Sequence, residues 1–156
     1  MIRRAERRDI PDVLHLLHQV LDIHHRGRPD LFRPGAAKYS AEELAEIFTD
    51  PDTPVFVYTD GADARVLGYA FCVRQQILGD AIRTDIPTLY IDDLCVDSAC
   101  RGQGIGRALY EHVLSFARER GYHNLTLNVW SCNPDAMAFY ERMGLQPQKV
   151  GMEVIL

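Results

Sequence analysis

With 156 residues, 47% of them apolar and 25% charged, the chain has the size and balance of one globular domain spanning residues 1–156, and disordered, collagen-like and mucin-like classes are excluded. The formal net charge of −5 is unevenly placed: basic and acidic side chains number 8 and 9 in residues 1–50, 3 and 8 in residues 51–100, and 6 and 5 in residues 101–156. An acidic middle third argues against a nucleic-acid partner, which would want a basic face, and suits a cationic substrate near residues 80–97.

No apolar run approaches the roughly 18–20 residues needed to span a bilayer. The opening MIRRAERRDI is charged with no apolar stretch behind it, so neither a membrane partner nor a secretory signal is expected, and the expected location is cytoplasmic. Cys72, Cys95, Cys100 and Cys132 form no CxxC pair and read as free thiols of a reducing compartment.

In chain order, Ile2 to Arg4 is a short strand candidate, and Asp9 is placed to cap a helix with Pro11 in its first turn. Val13, Leu14, Leu17, Val20 and Leu21 keep helical spacing to about His24. His15 and His18 lie three apart on it, but no carboxylate or cysteine completes a metal set, and no metal is expected. His24 to Tyr39 contains Gly27, Pro29, Pro34 and Gly35 and reads as a loop or a broken helix. Its aromatic residues Phe32 and Tyr39 either anchor it to the core or face substrate. Ser40-Ala-Glu-Glu43 is a capping box opening a second helix to about Thr49, stopped by Asp50-Pro51-Asp52.

Val55 to Thr59 and Val66 to Gln76 read as an antiparallel hairpin across Asp60-Gly61. After a polar connection, Leu89 to Val96 is a strand interrupted by Asp92 and Asp93. Arg101 to Gly106 is a glycine-rich turn, followed by an amphipathic helix that closes at Gly121. Leu125 to Trp130 is strand-like, Asn133-Pro134 starts a helix that ends at Gly144, and Lys149 to Leu156 is a last strand. The order is that of a mixed α/β chain with an antiparallel front and a β-α-β crossover behind.

A strand feeding a glycine turn that opens a helix is a phosphate-binding device, because the first helical N–H groups lack partners and the helix dipole favours an anion there. A P-loop is excluded, since no lysine follows these glycines. Gly102-Gln103-Gly104-Ile105-Gly106 has the spacing GxGxG, with Arg107 where a dinucleotide fingerprint needs its third glycine, and no acidic residue ends the next strand. What remains is Arg101-x-x-Gly104-x-Gly106. That turn, with Asn133 and Tyr140 in NPDAMAFYERMGL, resembles the GCN5-related N-acetyltransferase (GNAT) superfamily over about residues 55–156. Members transfer acetyl from acetyl-CoA to amines.

The resemblance implies an α/β (α+β) fold: a mixed, mostly antiparallel sheet of six to seven strands, flanked by about four helices and splayed between strands 4 and 5. It implies that backbone groups of Arg101, Gly102, Gln103, Gly104, Ile105, Gly106 and Arg107 hold the CoA pyrophosphate. Leu94, Cys95 and Val96 would pair with the pantetheine and hold the thioester carbonyl. Asn133 and Tyr140 complete the cofactor side, with Tyr140 as the acid that meets the departing thiolate.

An alkylamine has a pKa near 10, so its proton must be taken up before attack. Asp92 and Asp93 are the base and ammonium-binding candidates; adjacent strand residues point to opposite faces unless a bulge turns both. The run YIDDLCV before RGQGIG resembles diamine and polyamine acetyltransferases, with Asp92 where that group carries a glutamate. Asp93 alternatively serves the structure by accepting backbone hydrogen bonds. Asn128 stands where ribosomal-protein N-terminal acetyltransferases commonly carry a glutamate base, and an amide cannot act as one.

The expected activity is therefore direct acetyl transfer in a ternary complex to a primary amine, small and cationic. Protein N-terminal or lysine acetylation, and a non-catalytic acyl-CoA sensor, are the alternatives. Many relatives are dimers, so a homodimer is compatible with the sequence, though no residue decides it.

Overall fold

A computed structural model describes residues 1–35, 37–61 and 65–156. Five strands stand in chain order in one sheet: β1 (Ile2–Arg4), β2 (Val55–Thr59), β3 (Val66–Gln75), β4 (Thr88–Val96) and β5 (Asn124–Leu127). The first three pairings are antiparallel, and β4–β5 is parallel. The helices are α1 (Ile10–Gly27), α2 (Ala41–Ile47), α3 (Ile105–Glu119) and α4 (Pro134–Arg142). Part of the predicted β2–β3 hairpin loop, residues 62–64, lies outside the described residues.

Strand alternation sorts the core into two layers. Val55, Val57, Tyr69 and Phe71 face Val13, Leu16, Leu17 and Leu44 of α1 and α2. Their neighbours Phe56, Ala70 and Cys72 face Ile105, Leu109 and Val113 of α3, with Phe139 and Met143 at its margin. Gly68 permits close packing of sheet and helix: a Cβ there would lie 2.8 Å from the Cys95 carbonyl oxygen and 3.1 Å from Leu109.

Helix ends follow the sequence closely. Ser40 Oγ accepts from the Glu43 amide at 3.1 Å while Glu43 accepts from the Ser40 amide, completing the capping box. Asn133 Oδ1 accepts from the Ala136 amide at 3.3 Å. Asp9 stands at the N-cap of α1 as expected, but its side chain makes no cap bond: its carboxylate takes a paired contact from Arg3, at 2.7 and 2.8 Å, and the Glu6 amide at 2.8 Å. Those bonds shape a 3₁₀ turn, Arg7–Asp9, that precedes the helix.

The strand count corrects the expectation. Among the described residues the sheet has five strands rather than six or seven, and the strand expected at Lys149–Leu156 does not form. Residues 145–156 run without helix, strand, turn or bend. Their apolar alternation suits a strand, but a strand also needs an edge that pairs its backbone, and none receives it among the described residues.

Candidate active site

The site is organised by an irregularity in β4. Phe71 pairs with Asp93 and the next residue, Cys72, pairs with Ile91, so Asp92 is an extra residue opposite no partner. This β-bulge shifts the parity of the strand: Leu89 and Ile91 face the α3 layer, whereas Cys95 faces the α1–α2 layer. Both carboxylates consequently reach toward the α1–α2 side. Asp92 Oδ2 accepts from Lys38 Nζ at 2.5 Å and from the Tyr39 hydroxyl at 3.2 Å. Asp93 Oδ2 accepts from the buried Tyr69 hydroxyl at 2.7 Å.

At the same place the sheet parts. β5 pairs with β4 only from Thr88 to Ile91, ending at Leu127, while β4 continues to Val96. On the side facing β5, the backbone of Leu94, Cys95 and Val96 therefore has no strand partner among the described residues. This is the splay expected between strands 4 and 5. The thiol of Cys95 lies against the α1 layer, and burial, with Asp93 next, pushes it up to about 12. It stays protonated, so it is no nucleophile near neutral pH.

The end of β4 is fixed by Asp97, whose carboxylate accepts from the Ala99 amide at 3.0 Å and pairs with Arg65. The chain then makes a short 3₁₀ turn, Ser98–Cys100, and enters the glycine turn. Gly102 (φ 76°) and Gly104 (φ 80°) are both left-handed, a conformation that costs other residues a steric penalty. A Cβ on either would meet nothing within 4 Å, so the surface over the turn is open. Gly104 is the N-cap of α3 and supplies no side-chain acceptor, leaving the amides of the first helical turn unsatisfied. Such a cradle fits a pyrophosphate. Arg101 lies beside it, and Arg107 is paired with Glu111 at 2.7 Å.

Tyr140 is delivered by α4. Phe139 lies over the start of α3, where a Gly106 Cβ would sit 3.5 Å from its ring, and packs edge-on against Tyr140 at 5.1 Å between centroids. Asn133 acts within the structure as the cap that begins this helix. Burial, and then the nearby Asp93 and Cys95, raise the Tyr140 phenol above its ordinary value. Asp93 is itself raised, to about 6: burial dominates and Asp92 adds to it, against the opposing pull of Tyr69 and Lys38. Asp93 keeps partial exposure although its carboxyl is strongly desolvated. Burial by itself would lower Lys38, but its hydrogen bond to Asp92 and the charge there raise it.

The structure thus brings Asp92, Asp93 and Tyr39 together and sets Tyr140 within electrostatic reach of Asp93. Phe32 packs tilted against His24 at 5.0 Å and edge-on to Trp130 at 5.2 Å, and His24 in turn lies within electrostatic reach of Lys38. Two participants carried no sequence signal. Lys38 is a single lysine in a loop, and Tyr69 is one of several strand aromatics whose partner depends on the bulge.

This arrangement of parted strands, glycine turn and capped helix defines a class that comparison with known proteins identifies. The family model described as "Acetyltransferase (GNAT) family" matches residues 17–145, and the chain belongs to that family. It is 39% identical over 95 residues to streptothricin acetyltransferase of Streptomyces lavendulae, covering 61% of this chain and 46% of that protein. It is 28% identical over 145 residues to peptidyl-lysine N-acetyltransferase YjaB of Salmonella typhimurium, covering 93% and 82% respectively. A solved mutant of the BH1408 protein from Bacillus halodurans superposes with a TM-score of 0.94 at 30% identity, covering 100% of this chain and 99% of that one. The chain spans about half or less of the length of several curated relatives it matches.

Proposed function

We propose that this protein transfers the acetyl group of acetyl-CoA to a primary amine by direct attack in a ternary complex. The observation that carries this reading is the coincidence, at one point of β4, of the bulge at Asp92 and the parting from β5. It sets unpaired backbone donors beside two carboxylates and a tyrosine. Acetyl-CoA supplies an activated thioester; the rest is done by the chain.

The amides of Arg101 to Arg107 hold the pyrophosphate at the α3 N-terminus, and the backbone of Leu94 to Val96 holds the extended pantetheine as an added strand would be held. An amide of that stretch faces the thioester oxygen, where negative charge grows during attack. Asp92 attracts the acceptor's ammonium. Asp93, with a pKa of about 6, is ionised at neutral pH and takes the amine's proton, directly or through water. Tyr140, raised by burial, remains a protonated phenol and donates to the sulfur as the thiolate departs.

A small cationic amine is the acceptor best supported. Lys38 already places an ammonium on Asp92, with its Nζ 5.4 Å from the centre of the Tyr39 ring. An open crevice beside Tyr39 is lined by Glu43, Glu46 and Asp50, carboxylates that suit a second positive charge. Peptide lysine is the second reading, favoured by the same contact, because the ammonium seated there belongs to a lysine side chain.

The test is thiol release from acetyl-CoA with panels of amines, polyamines, aminoglycosides and lysine peptides. Turnover with cationic small amines supports the proposal. Acetyl-CoA binding without thiol release on any panel would leave a sensor instead of an enzyme.

A further inference from the structure

We infer that Lys38 is an acetyl acceptor of its own active centre: the chain moves one acetyl group from acetyl-CoA onto the Lys38 amine, and this takes the lysine's charge off Asp92. The inference rests on the acetyl-transfer reading above and adds to it a modification site on this chain.

Composition sets Lys38 apart. Of the 17 basic side chains, Lys38 and Lys149 are the lysines and all others are arginines. An arginine suits a lasting carboxylate pair better, because its planar fork bonds both oxygens and never gives up its proton. Arg3 holds Asp9 in this way, at 2.7 and 2.8 Å. Asp92 instead takes a single-point contact, from Lys38 Nζ to Oδ2 at 2.5 Å. A pair that only held the loop in place would gain from arginine, whereas a nitrogen that must lose its proton and attack has to be an amine.

Lys38 also occupies the place where an acceptor's ammonium would lie. The Tyr39 hydroxyl shares the same Asp92 oxygen at 3.2 Å, and the Tyr39 ring centre is 5.4 Å from Nζ, so a carboxylate and an aromatic face hold the cation together. The backbone on either side is anchored. Tyr39 stacks on Phe71 at 5.7 Å, and Ser40 is locked in the capping box of α2. The amine is thereby held before any cofactor arrives, which is the condition under which an intramolecular transfer outruns one from solution. Asp92 stands two residues before Leu94, a span of at most about 7 Å along the strand. The Lys38 side chain keeps 43% of its surface exposed, and its flexible stem lets the amine swing that distance. Asp93, the proposed base, lies within electrostatic reach of it.

The transfer balances. The Lys38 ammonium gives one proton to Asp93, its nitrogen bonds the acetyl carbonyl carbon, and the C–S bond of the thioester breaks. Sulfur leaves as the thiol with the Tyr140 proton, the second proton lost by the nitrogen restores Tyr140 through water, and Asp93 passes its proton to solvent. The resulting acetyl-lysine is neutral and no longer pairs with Asp92, so an incoming cationic amine meets an unoccupied carboxylate.

The test incubates the purified chain with acetyl-CoA and no added amine, following thiol release and mapping acetyl groups by peptide mass spectrometry. About one thiol should be released per chain, with the acetyl group on Lys38 formed at least about tenfold faster than on the exposed Lys149. The rate should not depend on protein concentration, and Lys38→Arg should abolish the burst. KM for cationic amines should then be several-fold lower in the fully acetylated protein. Turnover of external amines with Lys38 left unmodified overturns this inference and leaves the acetyl-transfer reading standing, whereas absence of thiol release with every amine overturns both. Equal acetylation of Lys38 and Lys149, a rate that climbs with protein concentration, or a KM unchanged by full acetylation also overturns the inference.

Discussion

The substitution Asp93→Asn should make the protein more stable and less active, with the gain confined to one pH range. Burial holds the Asp93 carboxyl at about 6, against an ordinary 3.8. Because the folded value is raised, the favoured protonated form contributes fully below the ordinary value. That contribution is lost as pH rises through about 6. Above pH 7 the fold carries an ionised carboxylate it would rather protonate, and two pH units of displacement correspond to about 3 kcal/mol. The partial exposure of Asp93 reduces this, leaving about 2 kcal/mol. The asparagine side chain removes the charge while keeping an oxygen for the Tyr69 hydroxyl. Calorimetric melting should then place the variant roughly 4–8 °C above the unaltered chain at pH 8 and level with it at pH 4. Turnover should fall about 10²-fold or more as the base is lost. Equal melting temperatures at both pH values, or a variant weakened at pH 8, would refute the electrostatic reasoning.

Other substitutions separate the remaining roles. Tyr140→Phe should lower kcat by about 10²-fold with little change in calorimetric affinity for acetyl-CoA, since the hydroxyl matters as charge reaches sulfur. Gly68→Ala should cost about 1–3 kcal/mol in denaturant unfolding, because the added methyl would sit 2.8 Å from the Cys95 carbonyl oxygen, a backbone atom that cannot swing aside. Lys38→Met empties the cationic position on Asp92, so KM for cationic amines should drop several-fold in steady-state assays while KM for acetyl-CoA holds.

Much of the local structure from the glycine turn to α4 was legible in the sequence because its signals are local. Gly102 and Gly104 mark left-handed turns by their identity, Asn133-Pro134 marks a helix start, and the spacing between these motifs carries the family resemblance. The parting of β4 from β5 followed from that resemblance and is present. The setting of Asp92 and Asp93 was less legible, since it is made by tertiary register. Alternation alone sends Asp92 and Asp93 to opposite faces; one inserted residue in the pairing with β3 brings them to the same one. Lys38 and Tyr69 enter only through that shift. The expected last strand failed for a similar reason: the pattern VGMEVIL describes what the segment can do, whereas pairing depends on an edge outside its own sequence.

The central claim is that acetyl-CoA lies along the free backbone of Leu94 to Val96 and across the glycine turn. Amide exchange followed by NMR with and without acetyl-CoA tests it most directly. The account predicts slowed exchange and shifted resonances at residues 94–96 and 102–107, with little change in β1 and β2. Binding that leaves those amides untouched, or that protects another part of the sheet, would contradict it.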